Sequence, residues 1–155
     1  MKKVLIVPAI AVILLSGCAS VPMESIEKSE VAKTFSTPSK GASGIYIFRK
    51  DTIVGAALKK DVWIDRKCIG ETAKGVFFYH EVEGNKEHTI STESEFSPND
   101  LILKTNSGEN YFIQQYVRPG IFVGGAGLDQ YDVEKGRVEV SKLTLAKEGY
   151  CSTVR

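Results

Sequence analysis

No apolar run in this sequence reaches the roughly 20 residues that a helix needs to cross a bilayer. The longest, residues 4–15 ("VLIVPAIAVILL"), has 12 and is interrupted by Pro8. Histidine occurs only twice, as His80 and His88, short of the three or four ligands that a protein metal site normally collects. No basic cluster stands out, so the electrostatic footprint of a nucleic-acid binder is missing. The glycine-rich stretch 117–128 ("VRPGIFVGGAGL") lacks the Gly-Lys-Ser/Thr ending of a phosphate loop,. A nucleophile elbow is absent as well, and with it the usual setting of a serine hydrolase.

What is present suffices for one folded domain. Of the 155 residues, 43% are hydrophobic and 25% charged, the composition of a globular chain rather than a disordered tail or a polytopic membrane protein. The N-terminus reads as an address: basic Lys2 and Lys3, an apolar run, then small residues,. Without those two lysines the remainder holds 18 Lys and Arg against 19 Asp and Glu, a nearly neutral body.

The residues that close this segment, Leu15, Ser16, Gly17 and Cys18, resemble a bacterial lipobox. The resemblance implies a signal peptide over 1–17 and a Cys18 that takes diacylglycerol on sulfur, becomes the mature N-terminus and is N-acylated. Two or more acyl chains, at about 0.8 kcal/mol per buried CH₂, hold a protein on a membrane without inserting it. Ala19 after the cysteine resembles the pattern for sorting to the outer membrane, so the expected location is that membrane, facing the periplasm. An ordinary secretory cleavage would explain the apolar run and leave the cysteine incidental.

Residues 18–43 read as a lipidated N-terminus and linker. Their middle, "ESIEKSEVAKTF", sets Val31 and Phe35 four apart and so admits a short helix,. From residue 44 to 155 the period changes. Short runs rich in β-branched and aromatic residues recur at 45–49, 62–65, 67–71, 76–82, 88–94, 101–105, 111–117 and, more weakly, 127–132, with turn residues between them. Such spacing predicts a mainly all-β domain, an antiparallel two-sheet sandwich of about 7–8 short strands with one or two flanking helices. Several runs are apolar on both faces, as in Ile45 and Ile47 against Tyr46 and Phe48, or Trp63 against Val62 and Ile64. A sandwich strand needs one apolar face, so something must cover the other. The candidates are 24–35 and 133–146, the latter fitting either a helix interrupted by Gly136 or a strand through Val138 and Val140.

The stretch 62–90 ("VWIDRKCIGETAKGVFFYHEVEGNKEHTI") resembles the strand, turn, strand and glycine order of PEGA-like β-sandwich repeats, with Arg66 where those repeats carry glycine, which predicts a longer turn there. Together with the lipobox and 33–50, the chain is similar to bacterial lipoproteins that carry an uncharacterised domain. That resemblance implies fold and location, and no reaction.

Three groups of residues bear on chemistry. Cys68 and Cys151 lie in a compartment that permits disulfides, so they either form a bridge or stand as a buried hydrophobe and a tail residue. Read as a hairpin across Gly84 and Asn85, the chain brings His80 opposite His88 or turns them to different faces, depending on register. A metal there would need Glu81 or Asp61 as a third ligand, and the simpler reading is a pair of structural histidines. A cysteine–histidine hydrolase would need Cys68 reduced and in contact with a histidine. The loop 117–128 either folds back over the sheet or presents Ile121, Phe122 and Val123, with Tyr116 and Arg118, as an apolar patch for a partner.

The expectation is therefore a non-enzymatic, membrane-anchored binding or structural module without cofactor or metal, whose partner is an envelope protein or cell-wall glycan and not nucleic acid. An inhibitor or immunity-type protein against a hydrolase is the alternative, and the cysteine–histidine hydrolase a third.

Overall fold

A computed structural model of the chain describes residues 19–93, 99–118 and 124–153. Among these described residues nine strands and two helices follow in the order α1 (Ile26–Ala32), β1 (Ala42–Arg49), β2 (Lys60–Ile64), β3 (Lys67–Thr72), β4 (Val76–Glu83), β5 (Glu87–Thr92), β6 (Asn99–Lys104), β7 (Asn110–Arg118), β8 (Gly125–Tyr131), α2 (Val133–Val140) and β9 (Thr144–Leu145). They form two sheets, β8-β7-β1-β4-β9 and β3-β2-β5-β6. Each of the eight apolar runs became one of the first eight strands, and the architecture is the expected sandwich. Two pairings depart from an antiparallel pattern, since β1 runs parallel to β7 and β9 parallel to β4.

Alternation explains the layers. Ile45, Ile47, Val62, Ile64, Ile69, Phe78, Ile90 and Ile113 fill the space between the sheets. The opposite face of the five-stranded sheet is just as apolar: Tyr46, Phe48, Phe77 and Phe112 are all at most 1% exposed. Tyr46 stacks on Phe112 at 4.9 Å with ring planes 9° apart. This second face is covered from both ends of the chain. Phe35 and Ala32 pack on it from the N-terminal side, and Val140 and Leu143 from the C-terminal side. Helix α1 starts where the Ser25 hydroxyl accepts from the Lys28 amide, and α2 where Asp132 caps Lys135,. Gly136 in α2 allows the close approach: a Cβ there would lie 2.2 Å from Phe112 Cγ.

The stretch expected as linker is in large part built into the body. Met23 bridges Ala146, the Glu24 amide donates to the Leu145 carbonyl, and the Lys147 amide donates to the Pro22 carbonyl. Residues 22–24 thus run antiparallel to 145–147, which follow β4. Traced backwards from Glu24, the chain heads towards the end of the sandwich at which β4 finishes.

Two turns differ from expectation. Asp65 and Arg66 both have positive φ, 49° and 69°, and Ile64 pairs with Lys67, so the β2–β3 turn has only two residues despite the missing glycine,. The turn at Gly84 and Asn85 is no hairpin. β4 pairs with β1 and β9, whereas β5 pairs with β2 and β6, so this turn carries the chain from one sheet to the other.

Candidate functional site

At the end of the sandwich where β1 stops, residues 50–59 form a loop whose tip is apolar. Ile53 is 91% exposed and Val54 57%. The loop is nonetheless tightly held. Within it the Ala56 amide donates to Ile53 and the Leu58 amide to Gly55. Arg49, the last residue of β1 and only 3% exposed, turns its guanidinium under the loop. There it donates to the carbonyls of Leu58 (2.7 Å), Thr72 (3.4 Å) and Gly55. Burial draws the Arg49 pKa below its ordinary value, and the carbonyl fork is what compensates the cation for lost water.

The same loop rests on the end of β7 and the start of β8. Gly55 has φ +70°, and a Cβ on it would lie 2.7 Å from Val117 Cβ; a Cβ on Gly124 would lie 2.6 Å from Leu58 Cδ1. Tyr116, half-buried, lies over Gly127, and the exposed Arg118 guanidinium stands 6.0 Å from the Tyr116 ring centre. Below this platform a buried polar chain joins the two sheets. The Thr72 hydroxyl donates to Gln115 Oε1 (2.6 Å), Gln115 Nε2 donates to the Thr92 hydroxyl (2.9 Å), and that hydroxyl donates to the Asp61 carbonyl (2.9 Å). Gln115 and Thr92 are 0% exposed. A fully satisfied buried network of this kind fixes one relative position of the sheets.

Of the residues expected to bind a partner, Tyr116 and Arg118 flank Val117, on which the 50–59 loop rests, and by strand alternation their side chains leave the opposite face of β7,. Ile121, Phe122 and Val123 lie outside the described residues, as does Cys18. Ile53, Val54 and Arg49 had no place in the expected site. The available signal was the "TIVGAAL" run between two strands, apolar yet without alternation.

Cys68 and Cys151 form a disulfide with Cα atoms 6.1 Å apart. It clasps the C-terminal tail over the outer face of the four-stranded sheet. Asp61 on that face, 0% exposed, accepts hydrogen bonds from the amides and hydroxyls of Ser152 and Thr153 at 2.8–3.2 Å. With its sulfur bridged, Cys68 offers no thiolate, and the nucleophile of a cysteine–histidine hydrolase is lost.

The histidines are apart, each with its own carboxylate. His80 Nδ1 lies 3.0 Å from Glu148. His88 Nδ1 lies 2.6 Å from Asp65 Oδ2, and its Nε2 donates to the Glu83 carbonyl (2.8 Å). Burial opposes a charge on His88, but the Asp65 hydrogen bond and the Glu83 carbonyl outweigh it, and the pKa is raised. Asp65 is lowered, its own burial outweighed by His88 and the Thr89 amide. Among the described residues no three His, Cys, Asp or Glu side chains converge as metal ligands. Nor, among them, is any helix long and apolar enough to cross a membrane.

Sequence comparison places these features in context. The family model described as "Protein of unknown function (DUF2846)" matches residues 39–126. That span holds β1 to β7 with the whole 50–59 loop, and leaves α1, α2 and the disulfide-bound tail outside. An uncharacterised protein of Haemophilus influenzae is 57% identical over 134 residues, which cover 86% of this chain and 79% of that protein. No solved structure matches.

Proposed function

The chain belongs to the DUF2846 family, and from that premise we propose that it is a lipid-anchored, non-enzymatic binding module of the cell envelope, docking a partner protein at the 50–59 loop end. The observation that carries this reading is the exposed pair Ile53 and Val54, on a loop held by the Arg49 guanidinium and seated on Val117 of β7. An apolar tip on a pre-ordered loop binds without the entropic cost of ordering that loop. An apolar tip suits a protein pocket better than a glycan, whose hydroxyls require donors and acceptors.

The lipobox at Cys18 supports the anchor. Cys18 stands four residues before Pro22, a reach of about 14 Å at most. Since the chain from Glu24 back to Pro22 heads away from the 50–59 loop, a lipid on Cys18 holds the body close to the bilayer with the loop end directed outwards. The envelope compartment, with the outer membrane facing the periplasm as its site, also agrees with the disulfide,. The bridged Cys68 supports a non-enzymatic role by removing the one thiol nucleophile considered. A protruding loop end equally favours the inhibitor reading, in which the partner is a hydrolase and the tip plugs its cleft.

Mass spectrometry of the native protein tests the anchor: the expected mature chain starts at Cys18 and carries acyl mass, and any other start or a bare cysteine refutes it. For the docking end, a photocrosslinker at position 53 in intact cells is expected to give one discrete adduct that Val54→Asp abolishes, while a crosslinker at Lys86 on the opposite end gives none. Equal adducts from both positions refute the assignment. Identifying the adduct as a hydrolase, inhibited one to one by the purified protein, would select the inhibitor reading.

A further inference from the structure

Helix α1 does more than cover the sheet. Between it and the β1–β4 face lies an open groove of about 460 Å³, whose lining includes Glu27, Lys28, Ala32, Tyr46, Tyr79, Glu81 and Leu145. That volume falls within the range of small-molecule sites. Its walls are largely apolar or aromatic. The Tyr46 and Tyr79 rings stand 4.6 Å apart, and Val31 remains 70% exposed on the helix.

The charges around the groove are uneven. Lys28 is held by Glu24 at 2.9 Å, one turn back along the chain, so its charge is already matched. Among the described residues neither Glu27 nor Glu81 has a lysine or arginine in ion-pair contact. Glu81 accepts from the Tyr79 hydroxyl (2.9 Å) and the Ser39 amide (3.2 Å), and a carboxylate has further lone pairs to offer. The Ser39 bond leads the causes that hold the Glu81 pKa below the usual range, and the backbone at Glu27 does the same for that residue. Burial pushes the Tyr46 phenol up to about 12 and raises Tyr79 as well, so both rings stay neutral.

We propose that this groove binds a small organic cation, a protonated amine on an apolar stem, with the stem against Ala32, Tyr46, Tyr79 and Leu145 and the ammonium at Glu81 and Glu27. An anion would meet two carboxylates. A neutral ligand would bring them no cation, whereas an ammonium gains charge-assisted hydrogen bonds and the attraction of aromatic faces. The site goes beyond the docking loop and does not depend on it, for the two lie on different parts of the molecule.

The test is a titration of the full chain in phosphatidylcholine nanodiscs at pH 7, following the methyl NMR signals of Val31 and Leu145. Hexylammonium, hexanol and hexanoate serve as probes. Hexylammonium is expected to bind at least about tenfold more tightly than hexanol, and hexanoate to give no shift. Glu81→Gln keeps acceptor oxygen for Tyr79 and Ser39 while removing the charge. It is expected to bring hexylammonium to the level of hexanol, with the signals of the inter-sheet core unmoved. Equal binding of hexylammonium and hexanol to the native chain, no binding by either, or a preference unchanged in Glu81→Gln would overturn the proposal. Loss of the crosslink at position 53 leaves all of these outcomes untouched, so the two readings fail separately.

Discussion

Replacing Arg49 by methionine is the sharpest perturbation of the loop end. Methionine fills much of the same space, so the change removes the guanidinium fork and little packing. Of the three acceptors, the carbonyls of Leu58 and Gly55 are the closer ones and that of Thr72, at 3.4 Å, is weak,. Two hydrogen bonds from a charged donor contribute about 1.5–3 kcal/mol each. Against this stands the several kcal/mol that keeping a guanidinium at 3% exposure costs the native protein,. The difference leaves a net loss of about 2 kcal/mol, and it should fall on the loop, because the freed carbonyls can recover water only by opening it. Hydrogen exchange reads this directly. The Leu58 amide, bonded to Gly55, and the Ala56 amide, bonded to Ile53, should exchange roughly thirtyfold faster. Arg49→Lys keeps the charge but not the planar fork, and should lie between the two. Wild-type exchange at both amides in Arg49→Met, with an unmoved urea midpoint, would show that the fork does not hold the loop.

Four other outcomes follow from the same contacts. Cys68→Ser with Cys151→Ser opens a crosslink between residues separated by 83 positions; the chain-entropy treatment puts the loss at about 4–5 kcal/mol, and urea unfolding of the double variant at wild-type stability would contradict it. His88 has a raised pKa, so the stability it contributes is complete below about pH 6.5 and is lost as pH rises through its folded pKa, while that of Asp65 is lost as pH falls through its lowered value,. His88→Gln should therefore flatten the decline in urea midpoint between pH 6 and 9, and an unchanged decline would assign it to other groups. Gly136→Ala gains about 1 kcal/mol of helix propensity but drives a methyl to 2.2 Å from Phe112 Cγ; overpacking should win, lowering the melting temperature, and a rise would show that α2 can lift. A fragment limited to residues 39–126 should lack a cooperative melting transition, and a sharp one would show that the helical covers are dispensable.

Most of the places where the sequence misleads are non-local. Gly84 and Asn85 are good turn residues, but turn chemistry says only that the chain reverses, not which strand it meets next. The result is a sheet change that parts His80 from His88 and leaves each with a carboxylate of its own. The parallel pairing of β1 with β7 joins Ile45 to Tyr111, a separation that no local pattern announces. Arg49 reads as a charge at the end of an apolar strand, where solvent is the default. Its burial depends on carbonyls up to 23 residues away. Arg66 shows the converse: a missing glycine suggested a longer turn, yet the backbone there takes φ 69° without one.

What was legible rests on surface that cannot remain wet. Tyr46, Phe48, Phe77 and Phe112 alternate with core residues along β1, β4 and β7, and burying each contributes about 1.5–3 kcal/mol. Taken together that is roughly 6–12 kcal/mol, as large as the whole stability of an ordinary domain. A sequence carrying four such side chains on one outer face must also supply their cover, and the two amphipathic stretches at 24–35 and 133–146 were the available pieces. The structure uses both, through Ala32 and Phe35 on one side and Val140 and Leu143 on the other. Because the family match of 39–126 stops short of each, the matched span holds β1 to β7 and the 50–59 loop while the covers, most of β8 and all of β9 come from beyond it. The groove under α1 exists only because a cover seven residues long cannot close over the whole of an aromatic face.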